Sequence, residues 1–327
     1  MIWFKRNKLK KWQNKNYNIE PLSSMYERWV ERRNKNLKKA VIIIIPILII
    51  IIPLLYFRNT EITKNYNDSK SVTKKEIKQD RLLYLGKNSK GYKEYKNKRD
   101  GSTLVYIPAG KFTMGSSGGD DNEEPVHTVY LDGYYISKYE ITNKQYKQFC
   151  DETNRDYPKD PDFNGMSNYF TAYPDYPVVN VDWYDAKAYC GWAGLKLPTE
   201  ARWEKGARGT DARKYPWGNS EPNGDKCNLA DKSLSKYENW DWIDKTVNDG
   251  FAYTSPVGSY KRGQSPYGLM DMAGNVYEWC SDWYGEEYYS SSPSSNPEGP
   301  SSGSSRVLRG GSWNFFDYSL RCAHRYR

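Results

Sequence analysis

Two histidines, five cysteines and a serine behind paired glycines are the residues of this 327-residue chain whose types could carry chemistry. The cysteines, Cys150, Cys190, Cys227, Cys280 and Cys322, form no Cys-x-x-Cys pair, which excludes a zinc ribbon. His127 and His324 are too few for a three-histidine metal centre, and no Gly-x-Ser-x-Gly elbow exists around which either could build a hydrolase. Ser312 follows Gly310 and Gly311 in "RVLRGGSW" and reads as a turn residue hydrogen-bonding locally. What remains is the terminal stretch "WNFFDYSLRCAHRYR", Trp313 to Arg327, in which aromatic rings alternate irregularly with short polar side chains. Rigid aromatic area beside adaptable hydrogen-bonding groups suits the recognition of a ligand. The competing reading is core, but two adjacent phenylalanines cannot both face inward on one strand.

The elements that must position these residues occupy the C-terminal two thirds of the chain. Gly, Trp and Tyr become dense from about Ser102, strand-like runs are short ("TLVYIPAG", "HTVYLDGYYIS", "RVLRGGSW"), and helical stretches interrupt them. Thr142 is placed to cap a helix through "NKQYKQFCDET". "WYDAKAYCGWAG" puts Ala186, Tyr189, Cys190 and Ala193 on one face and stops at Gly194, and Thr199 opens a third helix that Gly206 or Gly209 ends. The expected architecture is α+β, irregular and loop-rich. "SSSPSSNPEGPSSGSS", Ser290 to Ser305, reads as a flexible surface loop.

Charge divides unevenly. Residues 1–100 carry 25 Lys and Arg against 9 Asp and Glu, whereas residues 101–327 carry 24 against 31. The folded part is therefore mildly acidic, which argues against nucleic acid as a partner. "AVIIIIPILIIIIPLLYF", residues 40–57, holds no charge over eighteen positions, and a helix of that length spans roughly 27 Å, close to a bilayer core. Six basic residues in the fifteen positions before it, against Arg58, Lys64 and Lys70 in the fifteen after, place the N-terminus in the cytoplasm. The expected organisation is a basic cytoplasmic tail at 1–39, a single transmembrane helix at 40–57, a stalk at 58–100 and an extracytoplasmic domain at 101–327.

The motifs of that domain resemble a known family. "IPAGKFTMGS", "YEITNKQYKQFC", "PVVNVDWYDAKAYCGWAGLKLPTEARWEKGARG", "YPWGN", "SPYGLMDMAGNVYEWCSDWYG" and "RVLRGGSW" stand in the order seen in formylglycine-generating enzymes and their relatives, the sulfatase-modifying-factor domain. The resemblance implies a C-type-lectin-like α+β fold. It also implies where catalysis would sit, because the oxidases hold Cu(I) with two thiolates, three residues after the serine of GGS[WY] and five further on. Those positions are Phe315 and Leu320 here, so no copper is expected and the expectation leans away from an enzyme. Cys322 resembles a structural cysteine whose usual partner position is Ala207. The alternative kept open is an oxidase of formylglycine-generating or related type using another site.

Two calcium sites follow from the same resemblance. Asn228 and Asp249 would bind by side chain with the carbonyls of Leu229 and Phe251, and Asp271 and Glu278 by side chain with the carbonyls of Gly274 and Val276. The terminal stretch resembles the variable region of proteins diversified by retroelements, since Phe, Asp, Tyr, Ser and His are all one or more adenine changes from an asparagine codon. The expected ligand surface is Trp313, Asn314, Phe315, Phe316, Asp317, Tyr318, Ser319, Leu320, His324 and Tyr326, with a protein or a glycan as its partner. Relatives continue into a further core strand, so the resemblance implies that 101–327 is C-terminally incomplete or closed differently.

Overall fold

The computed structural model describes residues 81–327. The expected tail, the apolar span at 40–57 and the stalk up to residue 80 lie outside the described residues. Among those described, no helix is long and apolar enough to cross a membrane.

A four-stranded antiparallel sheet runs in the order β1 (Leu82–Lys87), β2 (Lys93–Asn97), β3 (Thr103–Ile107), β6 (Tyr134–Ser137). The first two strands correct the expected boundary at residue 101. Their registers, Tyr84 against Tyr95 and Tyr95 against Leu104, tie 82–97 to β3. The sequence hid them because they are half-exposed strands at one side of the sheet, rich in Lys and Tyr and without the apolar alternation that marks a buried face. Two smaller pairs, β4 (Gly110–Met114) with β5 (His127–Leu131) and β7 (Glu278–Trp283) with β8 (Arg306–Arg309), complete the strands.

Among the described residues three helices follow the local signals closely. Helix α1 (Asn143–Thr153) opens on a full capping box, Thr142 accepting from the Gln145 N–H while Gln145 returns the bond, and ends on Asn154 in the left-handed region. A short helix, α2 (Tyr169–Ala172), packs against it. Asp182 and Asp185 form the same box ahead of α3 (Trp183–Ala193), and Gly194 at φ 72° ends it. Thr199 caps α4 (Glu200–Arg208), which stops at Gly209. Tyr189 and Ala193 join Tyr146, Phe149 and Cys150 in a satellite core between α1 and α3, as the spacing on α3 required.

The main core lies where the sheet, the β4–β5 pair and α4 meet, around Val105, Ile107, Val129, Leu131, Trp203 and Leu269. The serine-rich segment 290–305 is not a free loop. Ser294 and Asn296 clasp Tyr130 on β5 through two backbone bonds of 2.8 Å, and the Asn296 side chain accepts from the Asp132 N–H. Tyr326 exchanges two backbone bonds, 2.9 and 3.1 Å, with Leu308 on β8.

Candidate functional site

The site begins at the turn after β8. Gly310 and Gly311 take φ of 96° and 72°, and a Cβ on Gly311 would meet the Leu320 Cδ2 at 2.8 Å and the Ser319 carbonyl at 2.9 Å, so only glycine fits. Beyond the turn the chain is held by its main chain. The Trp313 N–H donates to the Asn275 carbonyl, the Ala230 N–H donates to the Phe315 carbonyl, and the Trp242 indole donates to the Asn314 carbonyl, at 2.9, 2.9 and 3.1 Å. Ser312 donates to the Asn314 side chain at 2.6 Å, the local turn role its sequence suggested.

The ten expected surface residues divide by burial. Phe316, 42% exposed, Tyr326, 44% exposed, and Asp317 face outward. Trp313, Asn314, Phe315 and Tyr318 are partly buried, with Phe315 and Tyr326 set against the Tyr277 ring at 5.3 and 5.1 Å. Ser319, Leu320 and His324 are buried and leave the surface set. A 3-10 turn at Asp317–Leu320 rotates Leu320 into an apolar cluster with Tyr215 and Leu229. His324 is held neutral near neutral pH: burial first, then the Arg309 and Arg321 charges, push its pKa down to about 4. Sequence reasoning missed Trp242, half exposed, and its stacking partner Trp240, which flank Asn314 and Trp313. Two tryptophans two residues apart in "NWDWID" were the available signal.

Beneath this surface lies a charged core. Arg309 has no exposure, yet its guanidinium meets Glu204 at 2.5 Å and donates to the carbonyls of Cys322, Ala323 and His324. Glu204 also receives Arg208 and the Gly115 N–H, both at 2.8 Å. Arg325 forms a forked pair with Glu200, and Arg321 another with Glu123. Burial raises the Glu200 pKa, but the Arg325 and Arg309 charges outweigh it and hold the carboxyl below its ordinary value.

The oxidase positions carry no thiol. Leu320 is fully buried and Phe315 half-buried, while Cys322 is enclosed and its thiol pushed up to about 12, chiefly by burial. All five cysteines are free, and Ala207 stands in the main core.

The oxygen donors are partly assembled. Asn228 and Asp249 are buried and share one loop region, Asp249 accepting from the Leu229 and Phe251 N–H groups while the Asn228 Oδ1 has no partner. Asp271 accepts from the Gly258 N–H and leaves its Oδ1 without a partner. Burial is the leading cause that raises these carboxyls, Asp249 to about 7, Asp271 to about 6 and Glu278 to about 8. Among the described residues no three His, Cys, Asp or Glu side chains come together to hold a metal, so any site here must draw on amide and carbonyl oxygen.

The model of the sulfatase-modifying factor enzyme 1-like domain, called FGE-sulfatase, matches residues 91–327. The chain belongs to this family. FGE-sulfatase relatives include the formylglycine-generating enzyme of Streptomyces coelicolor, 35% identical over 269 residues, covering 68% of this chain and 81% of that protein. The serine/threonine-protein kinase pkn1 of Chlamydia caviae is 38% identical over 239 residues, 68% of this chain. The chain spans only about a third of that kinase's length, 35%. Among solved structures, PvdO from Pseudomonas aeruginosa superposes with a TM-score of 0.58 at 27% identity, covering 71% of this chain and 90% of that one. Treponema denticola variable protein 1 superposes at 0.52 and 27% identity, covering 69% and 88%. The resemblance of the terminal residues to a variable protein is thus met again in the fold.

Removing one partner from the charged core leaves an uncompensated buried charge. Glu204→Gln and Arg309→Met are each expected to cost about 3–5 kcal/mol, read as a lowered urea midpoint, whereas Arg262→Met, in an exposed pair with Asp225, should change stability by under ~1 kcal/mol.

Proposed function

We propose that this FGE-sulfatase domain is a recognition module and not an oxidase, presenting the surface around Phe316, Asp317 and Tyr326 to a protein or glycan ligand outside a membrane. The observation that carries the reading is the replacement of both copper positions by Phe315 and the buried Leu320, with the remaining thiol enclosed. Exposed aromatic rings beside a carboxylate offer contact area and a polar anchor at low entropic cost. Trp240 and Trp242 extend the same aromatic area from a second loop.

Phe316→Ala, Asp317→Ala and Tyr326→Ala combined should leave thermal stability almost unchanged, each exposed substitution staying within about 0.5 kcal/mol. The triple variant should lose the signals that the wild-type domain gives on a glycan array and a peptide display library. Copper-loaded protein should take up no oxygen with a CxPxR peptide; oxygen uptake there would sink the reading.

Calcium fits the loops around the surface. Asn228 and Asp249 with the Leu229 and Phe251 carbonyls, and Asp271 and Glu278 with the Gly274 and Val276 carbonyls, are hard oxygen donors, two of them left without hydrogen-bond partners. Bound there, Ca²⁺ supplies charge compensation and cross-links segments that have little regular structure. In its absence these buried carboxyls have raised pKa values, so the folded state retains protons that the unfolded state has released above its ordinary carboxyl range near 4. Stability of metal-free protein should therefore fall as pH rises through about 6 to 8. Calcium at a hundred times its Kd should add about 2.7 kcal/mol and flatten that slope, and Asp249→Asn with Asp271→Asn should remove the calcium effect and leave only the part of the slope that Glu278 carries. Calorimetric melts with calcium and with chelator read all three, and a melting temperature blind to calcium would refute the sites.

The anchor is the apolar run at 40–57. The full chain should sediment with membranes through carbonate washing, a version lacking 40–57 should not, and protease added outside intact cells should clip the domain.

A further inference from the structure

A cavity of about 270 Å³ opens between the edge strand β6, helix α3 and the segment 270–279. Its volume falls just under the ~300 Å³ at which drug-sized sites begin, which suits a ligand of fragment size. Apolar side chains make most of the walls, among them Ile136 from β6, Ala186 from α3, Leu195 and Met270. A concave apolar wall favours an apolar body over the water it displaces.

Two cations belong to the same lining, Lys196 on the connection that leaves α3 and Arg202 in the first turn of α4. Elsewhere on α4 and in the C-terminal segment the arginines are answered by carboxylates: Arg208 and Arg309 meet Glu204, Arg325 meets Glu200 and Arg321 meets Glu123. Lys196 and Arg202 are answered by none among the described residues. The exposed Lys196 ammonium makes no ion pair or hydrogen bond there, and the Arg202 guanidinium has only the Tyr134 ring, 5.7 Å away. A guanidinium over an aromatic face keeps its N–H donors to give. Two acids also line the cavity. Glu140 gives one oxygen to the Asn275 amide at 3.2 Å, and its other oxygen is shut off from solvent. Glu278 is the acid read above as a calcium ligand, whose charge the ion takes up or, without the ion, burial suppresses. The charge left for a ligand is therefore positive.

We propose that this cavity binds a small amphipathic anion, its carboxylate held at the rim by Lys196 and Arg202 and its apolar body laid against Ile136, Leu195 and Met270. The planar fork of an arginine matches a carboxylate with two parallel bonds, and a lysine adds a movable charge. Side chains of both kinds rest their aliphatic stems on apolar surface while the head stays near water, which lets the rim bind charge without burying it. None of Phe316, Asp317 and Tyr326 lines the cavity, so the proposal stands whether or not the terminal surface binds anything.

The test is titration calorimetry near neutral pH on the full chain held in lipid nanodiscs, with empty nanodiscs as the blank. Phenylpropanoate, phenylpropanol and phenylpropylammonium are the probes, alike in shape and differing in charge. Phenylpropanoate should bind one to one and about tenfold more tightly than the alcohol, the worth of a charge-assisted bond, and the ammonium should bind most weakly. Lys196→Met with Arg202→Met should bring phenylpropanoate down to the affinity of the alcohol and leave the alcohol unchanged, and Ala186→Trp, which fills the chamber from α3, should abolish both. Lys196→Met alone, at an exposed position without a bond to lose, decides the matter if either of the others fails to fold: it should cut the preference for the anion by about threefold, the worth of one exposed ion pair. Equal affinity of acid and alcohol, tighter binding of the ammonium, no saturable binding of phenylpropanoate, or a preference unmoved by Lys196→Met would each overturn the proposal.

Discussion

Arg309 has lost every contact with water, and the rest of the domain is arranged to make that tolerable. A guanidinium taken out of solvent is strongly destabilising unless its charge is paired and its donors find acceptors, and here the four Nη hydrogens find them while the Nε–H does not. Glu204 answers from α4, and the chain after Leu320 returns beneath β8 so that three successive carbonyls answer from the other side. Glu204 in turn needs Arg208 and the Gly115 amide, and Glu200 on the same helix needs Arg325. Strand β8, helix α4, the turn after β4 and the C-terminal segment are therefore fixed against one another by a single chain of obligations. Apolar packing around Trp203 surrounds that chain, and the Arg309 guanidinium lies 5.1 Å over its ring.

What could be read from the sequence were the features that local chemistry decides. Thr142, Thr199 and Gly194 each announce a helix boundary through a bond or a backbone angle that involves only neighbours a few residues away, and all three boundaries stand. The family motifs likewise located the turn at Gly310 and the absent thiols. The features that escaped depend on partners distant in the chain. Strands β1 and β2 are strands because β3 offers an edge, and the serine-rich segment is ordered because Tyr130 does. Leu320 and His324 read as surface in an irregular aromatic and polar run without a period, and tertiary contacts send both inward, Leu320 through the 3-10 turn. The buried Glu140 carboxyl belongs to the same class, since nothing in "YEIT" reveals that Asn275, Asp271 and Glu278 come to lie beside it.

Tyr277 stands at the junction of the terminal surface and the cavity behind it. Its ring supports Phe315 and Tyr326 on the terminal surface, and its residue also borders the cavity behind. A ligand that shifts this ring from one side changes the support on the other. Coupling of that kind is reciprocal by thermodynamic necessity.

The bonds that hold Trp313, Asn314 and Phe315 to the rest of the domain run through their peptide groups, whereas Tyr318, Arg321 and Arg325 are held by their side chains. Arg309 grips carbonyls at 322–324, Asn275 and Ala230 grip the main chain at Trp313 and Phe315, and Trp242 takes the Asn314 carbonyl. Peptide groups are the same whatever side chain they bear. Side chains at 314–316 can therefore change without breaking these main-chain bonds, whereas a change at Tyr318 also removes its hydroxyl bond to Asp120, so the tolerance of the loop ends where its side chains begin to carry the fold.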